Sequence, residues 1–440
     1  MSHKVRAALE VLETQLNQPL LTALEVCARC GLCAESCHYY LADPIPENVP
    51  AARGEALRRF SREQRDPLAA WFPAWIRAEP LTDESLESLA EMAFSRCTLC
   101  RRCTFNCPMG VDTPLLMSTV RAMASAAGVA PEMLVMLADA AIEKGRDPET
   151  YLPYFLESIH DMELELRRLT GRPTASIPVR RKGSRVLYVA LAGAHTILPA
   201  AAIFETAGED WTLSIFEAAN YAVFLSDLPK AKAIARRIVD EAHELGVEEI
   251  VVSECGHAYH ALRWSAPNWF GEEFPFRVRS IVEVIDDYIL HGRLGSLDPT
   301  ANPEPITYHD SCNLGRNGGV IEEPRRILNA VAADFREMAP NREASYCCGG
   351  GSGLVALPEY DEIRRKAGKP KVDQIRRTGA DWVAAACENC RLQLTDLSQA
   401  YETGTRVTAI ADLVVRAMRL PGAAQDDSLP VTMAAATLDR

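Results

Sequence analysis

Residues 27–37 read CARCGLCAESC and residues 97–108 read CTLCRRCTFNCP, and these two stretches decide the organisation of the chain. Each contains four cysteines with the spacing C-x₂-C-x₂-C-x₃-C, and the second is followed by a proline. Three closely spaced thiolates can surround one face of a four-iron cluster, and this spacing is typical of iron–sulfur ligation. Zinc is the alternative, but zinc sites usually take their ligands as two separated pairs. The two stretches therefore predict two cubane [4Fe–4S] clusters.

The fourth cysteine of each run is predicted to bind the other run's cluster, as in two-cluster ferredoxins. One cluster then takes Cys27, Cys30, Cys33 and Cys107, and the other takes Cys97, Cys100, Cys103 and Cys37. Two features differ from a compact bacterial ferredoxin: His38 stands where proline often follows the fourth cysteine, and the insert between the runs is long. Segments 57–60, 68–76 and 86–94 of this insert have helical spacing. We therefore expect a helical ferredoxin domain over residues 1–125, of the variety found in respiratory subunits.

The rest of the chain is predicted to change from helical to mixed structure. A helical connector with one helix between Pro131 and Gly145, and then a linker rich in proline, glycine and basic residues, are expected over 126–184. Short β-branched runs then alternate with helical stretches such as 231–245 and 363–377, which indicates βαβ units and parallel sheets. The β-branched runs are 186–189, 250–252, 306–308 and 382–385.

A weak internal repeat divides this second part. Segment 249–262 aligns with 381–394 and places Cys255 opposite Cys387. We therefore predict an α + α/β protein in which the helical domain precedes two pseudo-duplicated α/β lobes. The lobes are expected over 185–295 and 303–420, followed by a tail over 421–440.

Charge and cysteine content restrict the environment of the chain. The net charge of −13 argues against nucleic-acid binding, which requires basic surface. The first twelve residues, MSHKVRAALEVL, lack the apolar core of an export signal, so clustered cysteines indicate metal or redox chemistry rather than disulfides. The apolar run 186–204 is interrupted by polar residues and Pro199, and it fits a strand, turn and helix better than a membrane span. We therefore expect a cytoplasmic protein with no transmembrane segment of its own.

Five more cysteines follow the pattern C-x₃₄-CCG-x₃₇-C-x₂-C: Cys312, Cys347, Cys348, Cys387 and Cys390. Cys312 and Cys387 come directly after predicted strands, and ligands of open α/β sheets gather at the carboxyl ends of strands. Glycines 349–351 and 353 would let the backbone approach a bulky group, and this run lacks the ending of a phosphate-binding loop. Buried thiols without function are the alternative. The pattern favours a second functional site.

This pattern resembles the cysteine-rich CCG domain of heterodisulfide reductase catalytic subunits, and the whole chain resembles the HdrD/DsrK group. The phrases CGLCAESCHYY, SECGHAY, YHDSCNLGR and CCGGG carry the resemblance, which covers roughly residues 20–420. It implies that the five cysteines hold a noncubane [4Fe–4S] cluster at which a sulfur–sulfur bond is reduced or formed. The first lobe differs, because Phe216 and Glu217 replace the vicinal pair and Ala258 stands opposite Cys390. No second noncubane cluster is therefore expected.

The resemblance implies an oxidoreductase subunit that connects a membrane b-type cytochrome to a disulfide or trisulfide. The sulfur would belong to a small thiol or a small carrier protein, and the subunit would lie on the inner face of the membrane through its partner. The alternative is an electron-relay subunit of a glycolate, lactate or glycerol-3-phosphate dehydrogenase-type complex. The lost cysteines of the first lobe and the ECGHAY phrase favour the disulfide-active subunit.

Several other residues have two interpretations. His309, beside Asp310 and Cys312, is a candidate proton donor to a leaving thiolate, although a structural histidine is favoured. Cys255 contacts a cluster or is a buried remnant, and Glu217 is a candidate replacement ligand. His257 and His260, which flank Cys255, are expected to pack near the ferredoxin domain.

Two surface features are also interpreted. Segment 363–377 carries seven basic residues against one acidic residue and is expected to present a solvated face, with an acidic partner as the alternative. The aromatic side chains of Trp71, Phe72 and Trp75 are expected in the core, with contact to a membrane-embedded partner as the alternative.

Overall fold

The computed structural model describes residues 1–144, 148–191, 193–217 and 220–422. These residues belong to two compact units, and each unit is assembled from three separate parts of the chain. Unit 1 comprises residues 1–138, 221–231 and 343–373, and unit 2 comprises 139–220, 232–342 and 374–440. The predicted tail over 421–440 lies, beyond Gly422, outside the described residues.

Helices account for most of the regular structure. In chain order they are α1 (His3–Gln15), α2 (Gln18–Glu25), α3 (Leu32–Ser36), α4 (His38–Ala42), α5 (Pro50–Arg65), α6 (Pro73–Ile76), α7 (Asp83–Ser95), α8 (Arg102–Phe105), α9 (Thr113–Ala126), α10 (Glu132–Lys144), α11 (Pro148–Thr170), α12 (Ala194–Ala207), α13 (Tyr221–Leu225), α14 (Leu228–Leu245), α15 (Gly256–His260), α16 (Ala266–Phe270), α17 (Ile281–Leu290), α18 (Glu323–Val331), α19 (Asp361–Thr378), α20 (Glu388–Ala400) and α21 (Ile410–Ala417). A π-helical turn spans Ala261–Ser265. The strands are β1 (Val186–Val189), β2 (Trp211–Leu213), β3 (Glu249–Val252), β4 (Arg277–Ser280), β5 (Ile306–Tyr308), β6 (Phe335–Arg336), β7 (Trp382–Ala384) and β8 (Arg406–Thr408).

Unit 1 is helical and is built around α9, which packs against α1, α2, α5 and α7. Helix α9 begins after Asp112, whose carboxylate accepts a hydrogen bond from the Leu115 backbone N–H and caps the helix. Its apolar side chains, among them Leu116 and Val120, are buried in the core of this unit. Helix α5 approaches closely through Gly54, where a Cβ atom would lie 2.9 Å from Leu116 Cδ1. This packing supports the loops that carry both cysteine runs.

Unit 2 contains two four-stranded parallel sheets, as the alternation of strands and helices predicted. Their strand orders are β2-β1-β3-β4 and β6-β5-β7-β8, so the strands of both sheets follow the same order along the chain. The predicted strands 186–189 and 306–308 match β1 and β5, and the other two predicted strands differ from β3 and β7 by one residue. Strands β1 and β3 are buried throughout, which explains why their sequences are apolar except at Glu249. The α + α/β class is therefore confirmed.

The apolar run 186–204 forms β1 and the first part of α12, as predicted. Within the part of the chain that the structure describes, no helix combines the length and the apolar character needed to cross a membrane. Helix α10 follows Pro131 as expected, but its predicted end at Gly145 lies outside the described residues. The helical stretches 231–245 and 363–377 are confirmed as parts of α14 and α19.

The aromatic segment 68–76 is not part of the core, and that prediction was wrong. Trp71 and Trp75 are 78% and 77% exposed, and Phe72 is 57% exposed. Prolines explain the error, because Pro67 begins a short 3₁₀ turn and Pro73 begins the one-turn helix α6. The segment is thus broken into two turns, neither of which has a buried residue.

The basic helix α19 is only partly the solvated face that its composition predicted. Lys369 is exposed and Arg365 is partly exposed, and both pair with acidic residues on the same helix. Arg364 and Lys371 are instead buried. Long basic side chains can bury their aliphatic stems, and charge composition alone does not reveal which of them do so.

The first sheet of unit 2 carries a buried charge cluster that makes its stability depend on pH. The side chain of Glu209 is only 2% exposed, and it accepts hydrogen bonds from Arg185 Nε (2.8 Å), Arg293 Nη1 (2.8 Å) and Tyr288 Oη (2.6 Å). Burial opposes ionisation, but these partners outweigh it and lower the pKa of Glu209 to about 2. The carboxylate therefore stabilises the fold above the ordinary glutamate pKa, and this contribution is lost as the pH falls toward 2.

We expect Glu209→Gln to lower the free energy of unfolding at pH 7 by about 3 kcal/mol. The difference from the parent protein should shrink as the pH falls from about 4.5 toward 2, because the carboxylate is then protonated in the unfolded parent while it stays ionised in the folded one. Denaturant unfolding of both proteins at a series of pH values measures this. Glu244→Gln is the control, since Glu244 is an exposed partner of Arg180 and its loss should cost less than about 1 kcal/mol. An unfolding free-energy difference that stays constant between pH 7 and pH 3 would contradict the prediction.

Candidate iron–sulfur centres

The first predicted ligand set comes together in unit 1. The thiols Cys27, Cys30, Cys33 and Cys107 line one cavity, together with Cys103. The chain curls around this cavity because Arg29 and Gly31 adopt left-handed backbone conformations, with φ values of 55° and 83°. Cys30 is exposed, so this group of thiols reaches the protein surface. Four thiols around one cavity are a donor set that fits a cubane cluster.

The second predicted set is more deeply placed in the same unit. Cys37 and Cys97 are buried, and Cys100 and Cys103 are partly buried. Burial, reinforced by the neighbouring thiols of Cys100, Cys37 and Cys97, raises the pKa of Cys103 well above its ordinary value. The fourth cysteine of the first run therefore lies among the first three of the second run, as the crossed assignment requires. This donor set also fits a cubane cluster.

A buried arginine supports the second set and was missed in the sequence. Arg53, on α5, is 2% exposed, and its Nη2 donates to Cys37 Sγ (3.2 Å) and to the carbonyl oxygen of Asn48 (2.6 Å). Its Nε donates to the carbonyl oxygen of Glu47 (3.2 Å). A guanidinium beside a thiolate favours negative charge on the sulfur. No sequence signal separates Arg53 from the other arginines of α5, because its burial depends on tertiary packing.

The vicinal pair Cys347–Cys348 belongs to unit 1 and lies against the second cysteine run. Cys347 Sγ, Cys100 Sγ and one ring nitrogen of His38 all lie within 4.8 Å of one another. Thr98 Oγ1 is 3.3 Å from Cys347 Sγ, and Ser352 Oγ donates to the carbonyl oxygen of Thr98 (2.8 Å). The loop that carries the pair is thereby fixed to the loop between Cys97 and Cys100.

Two further arginines hold these loops together. Arg102 donates to the carbonyl oxygens of Ser36 (2.6 Å) and Ala344 (2.9 Å), and it stacks over the Tyr346 ring at 4.1 Å. The buried Arg121 donates to carbonyl oxygens on three parts of the chain. Its acceptors are Ala93 (3.0 Å), Cys97 (2.7 Å), Phe224 (2.8 Å) and Ser352 (3.1 Å). Sequence reasoning did not find either residue.

The other cysteines of the CCG pattern lie in unit 2, where they are buried. Hydrogen bonds from Cys255, Cys390 and His257 lower the pKa of the Cys387 thiol, against the effect of burial. Asn220 Nδ2 donates to Cys255 Sγ (3.2 Å), so Cys255 is held beside Cys387. The loop of Cys312 packs against the same region, because a Cβ atom on Gly256 would lie 2.7 Å from the Leu314 backbone nitrogen. Cys255 therefore lies beside the Cys387 thiol within unit 2.

The residues around His309 are also buried. A ring nitrogen of His309 lies within 4.8 Å of Cys390 Sγ, and its backbone N–H donates to the carbonyl oxygen of Ala384 (2.9 Å). The carboxylate of Asp310 is bound by both terminal nitrogens of Arg325, at 2.8 and 2.9 Å, and by the Arg342 backbone N–H. His309 is thus placed beside one of the predicted ligands. Glu217, the candidate replacement ligand, is partly exposed.

Comparisons with known proteins match the two cysteine-bearing parts of the chain. Residues 23–111 match the family model of a 4Fe-4S dicluster domain, and residues 306–395 match that of a cysteine-rich CCG domain. The chain is 28% identical over 407 residues to the Hdr-like menaquinol oxidoreductase iron-sulfur subunit 2 of Archaeoglobus fulgidus, covering 82% of this chain and 72% of the relative. The Hdr-like menaquinol oxidoreductase iron-sulfur subunit of Archaeoglobus profundus is 28% identical over 408 residues, with the same two coverages.

A third relative has nearly the same length as this chain. It belongs to the dihydromethanophenazine:CoB–CoM heterodisulfide reductase of Methanosarcina barkeri, and it is 25% identical over 412 residues, which cover 91% of this chain and 95% of the relative. The two matched domains, in the order that the cysteine runs predict, and these extensive similarities lead to one conclusion. The chain is an HdrD/DsrK-like iron–sulfur subunit, with a 4Fe-4S dicluster domain followed by a cysteine-rich CCG domain.

Proposed function

We propose that this iron–sulfur electron-transfer subunit holds two cubane clusters and one noncubane cluster and that it reduces, or forms, a disulfide or trisulfide. One observation carries the proposal: Cys347 of the vicinal pair lies against Cys100 of the second cysteine run, within one compact unit. The predicted reactive site and the predicted electron path therefore have neighbouring ligands. A relay without a reactive end would not require this contact.

The ligands are proposed as the sequence pattern assigns them. The cubane clusters take the two crossed sets described above, and the noncubane cluster takes the five cysteines of the CCG pattern. When bound, these clusters supply one-electron transfer and a site at which a substrate sulfur can be held. The protein contributes buried thiols, the Arg53 guanidinium beside Cys37 and the hydrogen bonds that fix each loop.

His309 is proposed to hold the proton that a leaving thiolate needs. Its ring lies beside Cys390, and an imidazole can provide a proton near neutral pH. The neighbouring carboxylate of Asp310 is already bound by Arg325, so it is a poor competitor for that role. Burial of this region excludes water from the thiols.

The partners are proposed from the relatives and from exposure. The named relatives act with menaquinol or dihydromethanophenazine, and we propose a membrane b-type cytochrome as the partner of this subunit. We propose that the subunit lies on the cytoplasmic face of the membrane, next to this partner. Its proposed substrate is a small thiol or a cysteine-bearing carrier protein. The first cubane set, with its exposed Cys30, is the part of the electron path that a partner can approach.

The domain boundaries are also proposed. The proposed domains are a ferredoxin domain over 1–125, a connector over 126–184, and duplicated lobes over 185–295 and 303–420. The identical strand order of the two parallel sheets supports the duplication.

Iron and acid-labile sulfide in the reduced, anaerobically purified chain test the cluster number. About 12 iron atoms per chain are expected for three four-iron clusters, and about 8 would remove the noncubane cluster. Cys312→Ala should reduce the count to about 8 while leaving both cubane signals in electron paramagnetic resonance (EPR) spectra. The activity is tested by titrating the chain with candidate disulfides. The absence of any new signal that depends on the disulfide would contradict a sulfur–sulfur substrate.

Single-cysteine variants test the crossed ligand sets. We expect Cys107→Ala to remove the cluster of the first run and Cys37→Ala to remove that of the second, because each residue lies among the other run's thiols. EPR can assign the lost signal by comparison with Cys30→Ala and Cys100→Ala, which mark the two runs. If Cys107→Ala and Cys100→Ala removed the same signal, the crossed assignment would be wrong.

A further inference from the structure

His38 occupies a position where the sequence departs from the usual cysteine run. It follows Cys37 directly, where a proline often stands, and it begins the short helix α4. The side chain is 2% exposed, although histidine is more often found partly exposed. A buried imidazole at this position therefore needs an explanation that a proline would not provide.

The ring of His38 lies at the junction of two predicted ligand sets in unit 1. One ring nitrogen is within 4.8 Å of both Cys100 Sγ and Cys347 Sγ. The ring packs against Tyr39 with its centroid 4.6 Å away, and Tyr39 lies in turn beneath Arg53. Packing on this side restricts the orientation of the imidazole, whose nitrogen lies near the two sulfurs.

Cys347 Sγ, one of the two sulfurs near His38, is also fixed by its contacts. Thr98 Oγ1 contacts Cys347 Sγ at 3.3 Å, and the backbone N–H of Gly349 donates to the same sulfur at 3.4 Å. Gly351 packs so closely on Thr98 that an added Cβ atom would lie 3.3 Å from the Thr98 carbonyl oxygen. The loop of the vicinal pair therefore cannot move away from the Cys97–Cys100 loop without losing these contacts.

We propose that His38 is a positioning residue that donates a ring N–H hydrogen bond to the thiolates of Cys100 and Cys347 where the second cubane site meets the vicinal cysteine pair. Hydrogen bonds to ligand sulfurs stabilise the reduced, more negative form of a cluster and so raise its reduction potential. Proline has no side-chain donor, which accounts for histidine at this position. This inference rests on the proposed function, because it assumes a cluster on the second run.

EPR-monitored redox titration of the full-length chain tests this role, with the first cubane cluster as an internal reference. His38→Leu removes the donor, and we expect the midpoint potential of the second cluster to become more negative while that of the first is unchanged. His38→Gln keeps an N–H donor of similar reach and should restore most of the shift. His3→Leu is the matched control, since His3 is an exposed histidine of the same unit, and it should shift neither cluster.

The signal of the second cluster is identified beforehand as the one that Cys97→Ala removes. An unchanged potential in His38→Leu, or an equal shift of both clusters, would overturn the role of His38 and leave the proposed function intact. If His38→Leu loses the second cluster, His38→Gln decides: retention of the cluster supports the hydrogen bond, and its loss shows a packing role instead. A parent protein without a cluster on the second run would overturn both this inference and the proposed function.

Discussion

Replacing Arg121 by methionine is expected to reduce the free energy of unfolding of unit 1 by about 3–5 kcal/mol. The guanidinium has no exposed surface and donates to the carbonyl oxygens of Ala93, Cys97, Phe224 and Ser352. Burial lowers the pKa of Arg121 to about 10, so the group is still charged at neutral pH. Methionine fills part of the volume but leaves these buried acceptors without a donor.

The effect should extend to the clusters, because Cys97 and the loop of Ser352 lose the residue that joins them. Denaturant unfolding measures the free energy of unfolding. Cluster retention is measured by the rate at which visible absorbance is lost after the protein is diluted. Arg59→Met is the control, since Arg59 is a partly exposed residue of α5 whose Nη1 pairs with the exposed Glu79, and its loss should cost less than about 1 kcal/mol. Similar losses of unfolding free energy for Arg121→Met and Arg59→Met would contradict the proposed role of the buried guanidinium.

Replacing Arg53 by methionine is expected to lower the reduction potential of the cubane cluster proposed on the second cysteine run by about 60–130 mV. The reason is the hydrogen bond from its guanidinium to Cys37 Sγ, since a hydrogen bond from a charged donor contributes about 1.5–3 kcal/mol. For a one-electron couple, a tenfold change in the equilibrium constant corresponds to about 59 mV, which converts that energy into the expected range. Arg53→Lys keeps the charge without the planar fork and should shift the potential less.

The measurement is a redox titration of both cubane clusters in each variant. Arg29→Met is the matched control, because Arg29 belongs to the loop of the first run but is exposed and paired with Glu55. It should change neither potential appreciably, since exposed ion pairs are weak. A second-cluster potential that is the same in Arg53→Met and in the parent protein would show that the thiolate does not depend on this donor.

Spacing along the chain predicted the parts of this protein that local rules control. Two cysteine runs that share one short spacing pattern predicted the cubane ligands, because a cluster of fixed size requires its first three thiols close together in sequence. Strands β1 and β5 were predicted correctly because buried parallel strands have continuous apolar sequences bounded by turn residues. The segment at Trp71 and Trp75 was misassigned, since its apolar composition suggested burial while Pro67 and Pro73 broke the helix that would have buried it.

These local rules do not predict contacts between residues that are far apart in the sequence. Thr98 and Cys347 are separated by 249 positions, and nothing in the spacing of either motif indicates that one contacts the other. Arg53 and Arg121 resemble surface arginines in the sequence, because a charged residue is buried only where several chain segments supply acceptors for it. The sequence supports two interpretations of Cys255, because its place beside Cys387 depends on how the loops of unit 2 pack.

The sequence alone determined which thiols are available, how they are spaced and that the second part of the chain forms parallel α/β structure, because cysteine motifs and strand burial leave regular local patterns. Only the tertiary structure decided that Cys347 of the vicinal pair lies against the second cysteine run, with His38 beside both and buried arginines nearby. The physical reason is that these contacts satisfy buried donors and acceptors across large sequence separations, and a contact of that kind leaves no periodic trace in the chain.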